Sequence, residues 1–452
     1  MAEKTRMVAE MEIDESVSLS KSISHYENAK VLIDGGYEGQ RALVEVRKKR
    51  HDRWEGKVVR TLRPSPLEIE PACPHFGKCG GCRALDLQYE KQLEIKQRTA
   101  SRIIAQATKD CVVEGILPSP LIHRYRNKME FSFGDEEKGG QLTLGLHGRG
   151  RHHDVVSIGQ CLLCPEDFST VARYVEEYFR KKGAKPYNAM ERKGWLRHLV
   201  LRRSSAYNEL LIGLVATGAE QLDEEEFVRF LLGIPTETKI CGVLFTKSGS
   251  FSDTVEKGLW KILYGRGFFR ENVAGIDFEV SFDAFLQTNM ASCTQLYATA
   301  LSYAGDLQGK TALDLYCGIG TISEALAQKA VYVLGAEIVE TAVIDAKKNA
   351  IANGMSNISF VRADVGAFLK ESWGDFSLCV ADPPRAGIGL AACEKIASLG
   401  CERIVYVSCK PSSFSEDAKS LEGMGYRAEK ATLVDMFPHT DHVEIVSLLT
   451  KI

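Results

Sequence analysis

The sequence predicts an α/β protein in three parts: a C-terminal doubly wound sheet, a mixed α+β middle, and a small N-terminal β module. Three observations predict it. From about residue 271 onward, short apolar runs alternate with helical stretches, the pattern of strands joined by crossover helices. The first 70 residues hold only short alternating stretches between Gly-rich or charged turns. Pro64, Pro66 and Pro71 then punctuate the join.

A chain of 452 residues holds two or three domains, each able to bury a core. Its 44% hydrophobic and 26% charged residues are ordinary for a globular protein. No apolar run approaches the roughly 18 residues that cross a bilayer, and the first twenty residues have no apolar leader segment. The expected compartment is the cytoplasm, with no membrane partner and a monomer as the default. Thirteen cysteines spread over a long chain argue for reduced thiols, a few of them ligands or nucleophiles. The net charge of −3 does not recommend nucleic acid, but its distribution does. Between Arg41 and Arg63 stand nine Lys or Arg against three acids, a local patch fit to engage phosphates.

Residues 1–70 read as strands at Val8–Ile13, Ala42–Val46, Gly56–Arg60 and Leu67–Glu70, with a turn at Asp34-Gly35-Gly36. The run Arg47-Lys48-Lys49-Arg50 is either a solvated hairpin tip or a phosphate contact. Trp54 adds an aromatic surface on which RNA bases stack.

Residues 71–270 open with a cysteine cluster and a helix over Tyr89–Ala107. Strands follow near Lys128–Phe133 and Leu142–Leu146, a helix at Phe168–Lys181, and strands near Leu196–Arg202 and Leu210–Thr217. Basic and aromatic residues interleave at Arg124-Tyr125-Arg126 and at Arg149–His153, and Glu220–Glu226 reads as a solvated helix start.

Residues 271–452 give strands at Ala312–Leu315, Tyr332–Ala336, Ile358–Arg362, Leu378–Ala381, Ile404–Val407 and Val443–Leu449, with helices at Ser323–Lys329 and Thr341–Asn353. Such a sheet is mostly parallel and takes its ligand at the carboxyl ends of the strands.

Asp314-Leu-Tyr316-Cys-Gly318-Ile-Gly320-Thr321 closes the first of these strands and opens a helix. Its glycines let the backbone approach a ligand, and Glu337 at the end of the next strand suits a ribose diol. The third glycine of a dinucleotide fingerprint is missing, which favours the looser turn used for S-adenosylmethionine. Asp364 and Asp382 end the next two strands in the same order.

Asp382-Pro383-Pro384-Arg385 has two readings. In amino-group methyltransferases a related loop ends in an aromatic residue, which Arg385 replaces here. The next strand ends in Ser408-Cys409-Lys410-Pro411, so a thiol faces the crevice. Most cysteines are small buried hydrophobes; Cys409 differs by position and by Lys410, which favours the thiolate. A thiolate is what carbon 5 of uracil requires, because addition at carbon 6 makes carbon 5 nucleophilic. A base must then remove the carbon-5 proton. Glu444, at the entry of an apolar strand, is the candidate, since a carboxylate there is costly unless bonded or functional. His442 would share its face of an extended strand and is the rival. Phe285-Leu-Gln287-Thr-Asn289 is a helix start, or it places Gln287 over the cofactor or base.

These motifs, together with Asp435-Met-Phe-Pro-His-Thr-Asp-His-Val-Glu444, resemble the RNA uridine-5-methyltransferase family over nearly the whole chain. The resemblance implies Cys409 as nucleophile and Glu444 as base. It implies cofactor contacts at Gln287, Tyr316, Thr321, Glu337, Asp364 and Asp382, although Thr321 and Asp364 stand where the family often has amides. The first 70 residues are then similar to the small TRAM-like β-barrel with which the family grips RNA. Ribosomal RNA of the large subunit (23S) is the favoured substrate class and transfer RNA the alternative.

Cys73-Pro-His-Phe-Gly-Lys-Cys79-Gly-Gly-Cys82 sets three thiols within ten residues, with Cys161 or Cys164 to supply a fourth. Zinc and an iron–sulfur cluster both accept four thiolates, and spacing alone does not choose. The resemblance implies a [4Fe–4S] cluster on Cys73, Cys79, Cys82 and Cys161, with a structural role.

Overall fold

The computed structural model describes residues 6–48, 54–137, 139–217, 222–249, 260–369 and 374–452. At the N-terminus β1 (Arg6–Glu12), β2 (Glu15–Ser16), β3 (Lys21–Tyr26), β4 (Ala29–Asp34), β5 (Arg41–Lys48) and β6 (Trp54–Arg63) form one sheet in the order β1-β5-β6-β4-β3-β2. Alternation builds its core: Ala42, Val44 and Val46 turn inward onto Val31, Ile33, Met11 and Ile13. The turn expected at Asp34-Gly35-Gly36 is present, with both glycines at positive φ, a backbone region they enter without a Cβ clash.

The strand expected at Leu67–Glu70 does not form. Only an isolated bridge joins Glu68 to Leu87. The Glu68 carboxylate accepts the Ser65 backbone N–H, and Pro64 and Pro66 have no N–H to offer a ladder. Lys49 and Arg50 of the basic run lie outside the described residues, as do the side chains of Lys48 and of Arg151, His152 and His153. Trp54 is half-buried with its ring 5.9 Å from that of Tyr26, so part of its face is spent on the core.

Next along the chain come α1 (Tyr89–Ala107) and β7 (Val112–Leu117). The middle sheet takes β8 (Lys128–Gly134), β9 (Thr143–Gly148), β10 (Arg151–Ser157), β11 (Leu196–Arg203), β12 (Glu209–Ala216), β13 (Lys239–Lys247) and β14 (Lys261–Gly265), in the order β10-β9-β8-β11-β12-β13-β14. Helix α2 (Glu166–Lys181) covers it through Phe168, Val171, Val175 and Phe179. Helix α3 (Glu224–Leu232) starts at the expected acidic stretch, where the Asp223 side chain caps the Glu226 N–H; Glu220 and Gln221 lie outside the described residues. A hairpin of β15 (Phe268–Val273) and β16 (Ile276–Ser281) leads into the last part.

There α4 (Met290–Ala304), β17 (Thr311–Leu315), α5 (Thr321–Ala327), β18 (Tyr332–Glu337), α6 (Glu340–Ala352), β19 (Ile358–Arg362), α7 (Val365–Phe368), β20 (Leu378–Ala381), α8 (Leu390–Leu399), β21 (Arg403–Ser408), α9 (Pro411–Glu422), β22 (Tyr426–Val434) and β23 (Glu444–Lys451) follow. The sheet order is β19-β18-β17-β20-β21-β23-β22-β7. Strands β17 to β21 are parallel, while β23 is antiparallel to both its neighbours. The order reverses between β17 and β20, which opens a ligand crevice at their carboxyl ends.

One grouping differs from the sequence reading. Residues 89–117, placed with the middle part, are built into the C-terminal layer: β7 pairs with β22, and Ala100 and Ile104 of α1 join Phe414, Ala418 and Leu421 of α9 in one core. The open edge of β22 needs a partner and the apolar face of α9 needs a cover, and the earlier segment supplies both. Among the described residues no helix is long and apolar enough to cross a membrane.

Candidate active site

The glycine turn after β17 borders a cavity lined by Phe285, Gln287, Tyr297, Tyr316, Gly318, Thr321 and Asp382 among others. Four of the expected cofactor residues thus meet in one place. Tyr316 has φ of 64°, a strained backbone for a side chain with a Cβ, and its N–H donates to the Ala336 carbonyl at 2.9 Å. Glu337 and Asp364 do not line this cavity. The Glu337 carboxylate accepts from the N–H groups of Gly318 and Val339, at 3.2 and 2.8 Å. Asp364 is exposed and caps α7 through Ala367 N–H.

Two residues in the cavity wall escaped the sequence reading. Tyr297, from the middle of α4, bonds its hydroxyl to Thr321 Oγ1 at 2.8 Å. Nothing in the sequence around it signals this, because α4 joins the site only through packing. Asp314 lay in the motif but had no role. It is buried, one carboxyl oxygen bonded to Ser323 and the other without a partner among the described residues. Burial pushes it up to about 7.

At the carboxyl edge of the sheet three chain segments converge. Ala381 pairs with Tyr406, which sets Asp382 beside the end of β21. Ser408 pairs with Ile445 in antiparallel register, which sets Cys409 opposite Glu444. Glu444 is 4% exposed, and burial followed by the charge of Asp382 pushes it up to about 8, with Arg385 opposing. The Cys409 thiol is half-buried. Burial raises it first, then Glu444, while Arg385 lowers it. The cation acting on the thiol is therefore Arg385, which the sequence reading treated only as a lost stacking platform. Lys410, expected in that role, is exposed at the head of α9. His442 is also displaced from expectation. Strand β23 begins at Glu444, so His442 lies in the preceding loop, its ring edge-on to Phe437 at 5.9 Å. Phe285 stands 65% exposed at the mouth of the cofactor cavity.

Cys73, Cys79, Cys82 and Cys161 line a second, small cavity with Phe76, Leu146, Ile158 and Leu163. Cys82 is pushed up to about 12 by burial and then by Cys161, Cys79 and Cys73. Sulfur crowding of that kind, in apolar surroundings, suits a centre whose positive charge stabilises thiolates. Cys164, the other candidate for the fourth position, is buried and does not line this cavity. Among the described residues, no three His, Cys, Asp or Glu side chains form a group that could hold a metal ion. Of the basic–aromatic run nearby, Tyr125 is buried, its hydroxyl donating to the Pro438 carbonyl at 3.1 Å. Arg126 lies over the Phe437 ring at 5.9 Å.

A family described as tRNA (uracil-5-)-methyltransferase matches residues 261–452. The chain is 38% identical over 445 residues to an uncharacterized RNA methyltransferase of Caldanaerobacter subterraneus subsp. tengcongensis, covering 98% of this chain and 99% of that protein. It is 38% identical over 441 residues to another from Clostridium tetani, covering 97% and 96%. A solved structure, the Pyrococcus abyssi tRNA (uracil-54, C5)-methyltransferase in complex with S-adenosyl-L-homocysteine, matches with a TM-score of 0.78 at 24% identity, covering 97% of this chain and 99% of that one. That match establishes a common fold. Fold and relatives define an RNA methyltransferase. Within that class, the chain belongs to the RNA (uracil-5-)-methyltransferase family.

Proposed function

We propose that this protein transfers the methyl group of S-adenosylmethionine to carbon 5 of a uridine in structured RNA. Cys409 is the nucleophile and Glu444 the base. The observation that carries the reading is the strand register that sets Cys409 opposite Glu444, beside Asp382 at the crevice edge.

The Cys409 thiolate adds to carbon 6 of the uracil, and the electron pair of the 5,6 double bond is released toward carbon 5. Carbon 5 takes the methyl group and leaves S-adenosylhomocysteine. Glu444 then removes the carbon-5 proton, the double bond re-forms, and the carbon–sulfur bond breaks to return Cys409. A carboxylate pushed up to about 8 has the proton affinity this step needs. Positive charge entering with the methyl donor favours ionised Cys409 and Glu444, and Arg385 acts on both in the same sense. Gln287, Tyr316, Thr321 and Asp382 hold the donor, with Glu337 and Asp364 at the ribose and adenine end.

Cys73, Cys79, Cys82 and Cys161 are the residues that would hold a [4Fe–4S] cluster, supported by their shared cavity. Held by four thiolates, such a cluster would contribute structure rather than chemistry. The N-terminal sheet acts as the TRAM-like RNA grip.

The favoured substrate is a uridine of 23S ribosomal RNA. A transfer RNA uridine is the second reading, favoured by the description of the matching family. Mass mapping of 5-methyluridine in ribosomal and transfer RNA, from cells with and without this protein, decides between them. Unchanged 5-methyluridine in both would sink the proposal.

A further inference from the structure

The loop between β22 and β23 carries Glu444 to its place, and it is held from outside almost atom by atom. Lys96 of α1 and Asp435 form a buried ion pair at 2.6 Å, and Tyr89 donates to the same carboxylate at 2.8 Å. The carbonyls of Met436, Phe437 and Pro438 accept from Asn289, Lys96 and Tyr125. At the centre stands His439, with φ of 65°. A residue with a Cβ keeps that backbone only where its surroundings over-determine it.

Gln92 supplies that constraint. Its side chain is fully buried. Its Oε1 accepts the His439 N–H at 3.0 Å. Its Nε2 donates to the carbonyls of Ala84 and Leu87, both at 2.8 Å, with His439 Nδ1 beside it at 3.1 Å. The His439 carbonyl accepts in turn from Arg83 N–H at 2.7 Å and Ala84 N–H at 3.3 Å. One amide thus joins three pieces of chain: α1, the segment that follows Cys82, and the loop leading to Glu444.

We propose that Gln92 is a positioning residue for the reaction: it holds His439 in its left-handed turn and so fixes the approach of Glu444 to the ring bonded to Cys409. This rests on the reading of Glu444 as the base. Gln92 is a better probe of the loop than Lys96, because removing Lys96 strands a buried carboxylate and threatens the fold itself. Loss of a neutral amide loosens one turn.

A loosened Glu444 slows removal of the carbon-5 proton while leaving thiolate addition and methyl transfer in place. The full-length Gln92→Met variant is mixed with radiolabelled S-adenosylmethionine and total RNA from cells lacking the protein. Protein–RNA adduct that survives detergent is followed against free methylated RNA. The expected result is normal S-adenosylhomocysteine affinity and adduct formation, with release slowed about tenfold or more and adduct accumulating. Equal slowing of formation and release, or release at the parent rate, overturns the inference, since a purely structural role moves all steps together. If Gln92→Met fails to fold, Gln92→Asn, which keeps a neutral amide but shortens its reach to the His439 N–H, is judged by the same criteria. Glu444→Gln serves as the control. If it traps no adduct, the assignment of the base has failed; if it traps adduct and the Gln92 variants do not, only the present inference has.

Discussion

The charge of Asp382 acts on Glu444 across the carboxyl edge of the sheet. Asp382 keeps part of its surface open to the crevice, yet burial still pushes it up to about 7. Glu444, more deeply set, is raised to about 8 by burial and by Asp382, from an ordinary value of 4.5. An acid whose native value lies above its unfolded value binds more protons folded than unfolded between the two. Ionising Glu444 therefore costs stability as pH rises from about 4.5 toward about 8. Glu444→Gln is expected to be more stable than the parent, with no gain below that window and a full gain above it of roughly 2–4 kcal/mol. Denaturant unfolding at acid and alkaline pH measures it. A gain of the same size at both would show that ionisation is not the cause.

Substitution at the same centre also separates the chemical steps. Cys409→Ala should lose activity by at least roughly 10⁴-fold and form no covalent adduct with RNA. Glu444→Gln should form the adduct and fail to release it. Gel electrophoresis under denaturing conditions distinguishes the two. Methylation surviving in Cys409→Ala would point instead to an amino-group reaction through the Asp382–Arg385 loop.

Arg385 is the group that eases ionisation of Cys409 against burial and the neighbouring acids. Arg385→Met should move the pH midpoint of Cys409 alkylation by iodoacetamide upward and slow methyl transfer at neutral pH. Peptide mass spectrometry reads the alkylation site by site. An unmoved midpoint would return the role to Lys410.

The four-cysteine cavity makes a claim about composition. Protein purified without oxygen should carry about four iron and four sulfide per chain, with a broad visible absorbance. Cys82→Ser should lose both and melt at lower temperature. A colourless protein holding a single zinc would refute the cluster and keep the ligand set.

The strand Leu378–Ala381, buried along its whole length, was legible from its apolar run, and the partly exposed edge strand Ile358–Arg362 also has the bounds that were read. Helix α1 was equally plain, and its bounds also match. Its destination was not. Nothing local says that Ala100 and Ile104 will pack on α9, because that choice belongs to the unpaired edge of β22. The same limit explains the site. Gln287 and Tyr316 could be named because they stand in motifs that carry the family resemblance. Tyr297 could not, because its hydroxyl reaches Thr321 from another helix. Arg385 was in view but misjudged, since its effect on Cys409 depends on where the loop folds back. In the expected strand at Leu67–Glu70 the Ser65 hydroxyl takes the Leu67 N–H, and only an isolated bridge at Glu68 forms.

The placement of β7 bears on how the polypeptide matures. Val112–Leu117 leaves the ribosome some three hundred residues before Tyr426–Val434, the strand it must join. At ordinary synthesis speeds that delay is roughly 15–60 s. During it the early strand has an unsatisfied hydrogen-bonding edge and α1 an uncovered apolar stripe. A catalytic fragment cut near residue 270 would inherit the complementary defect, and its exposed Tyr426–Val434 edge would invite aggregation.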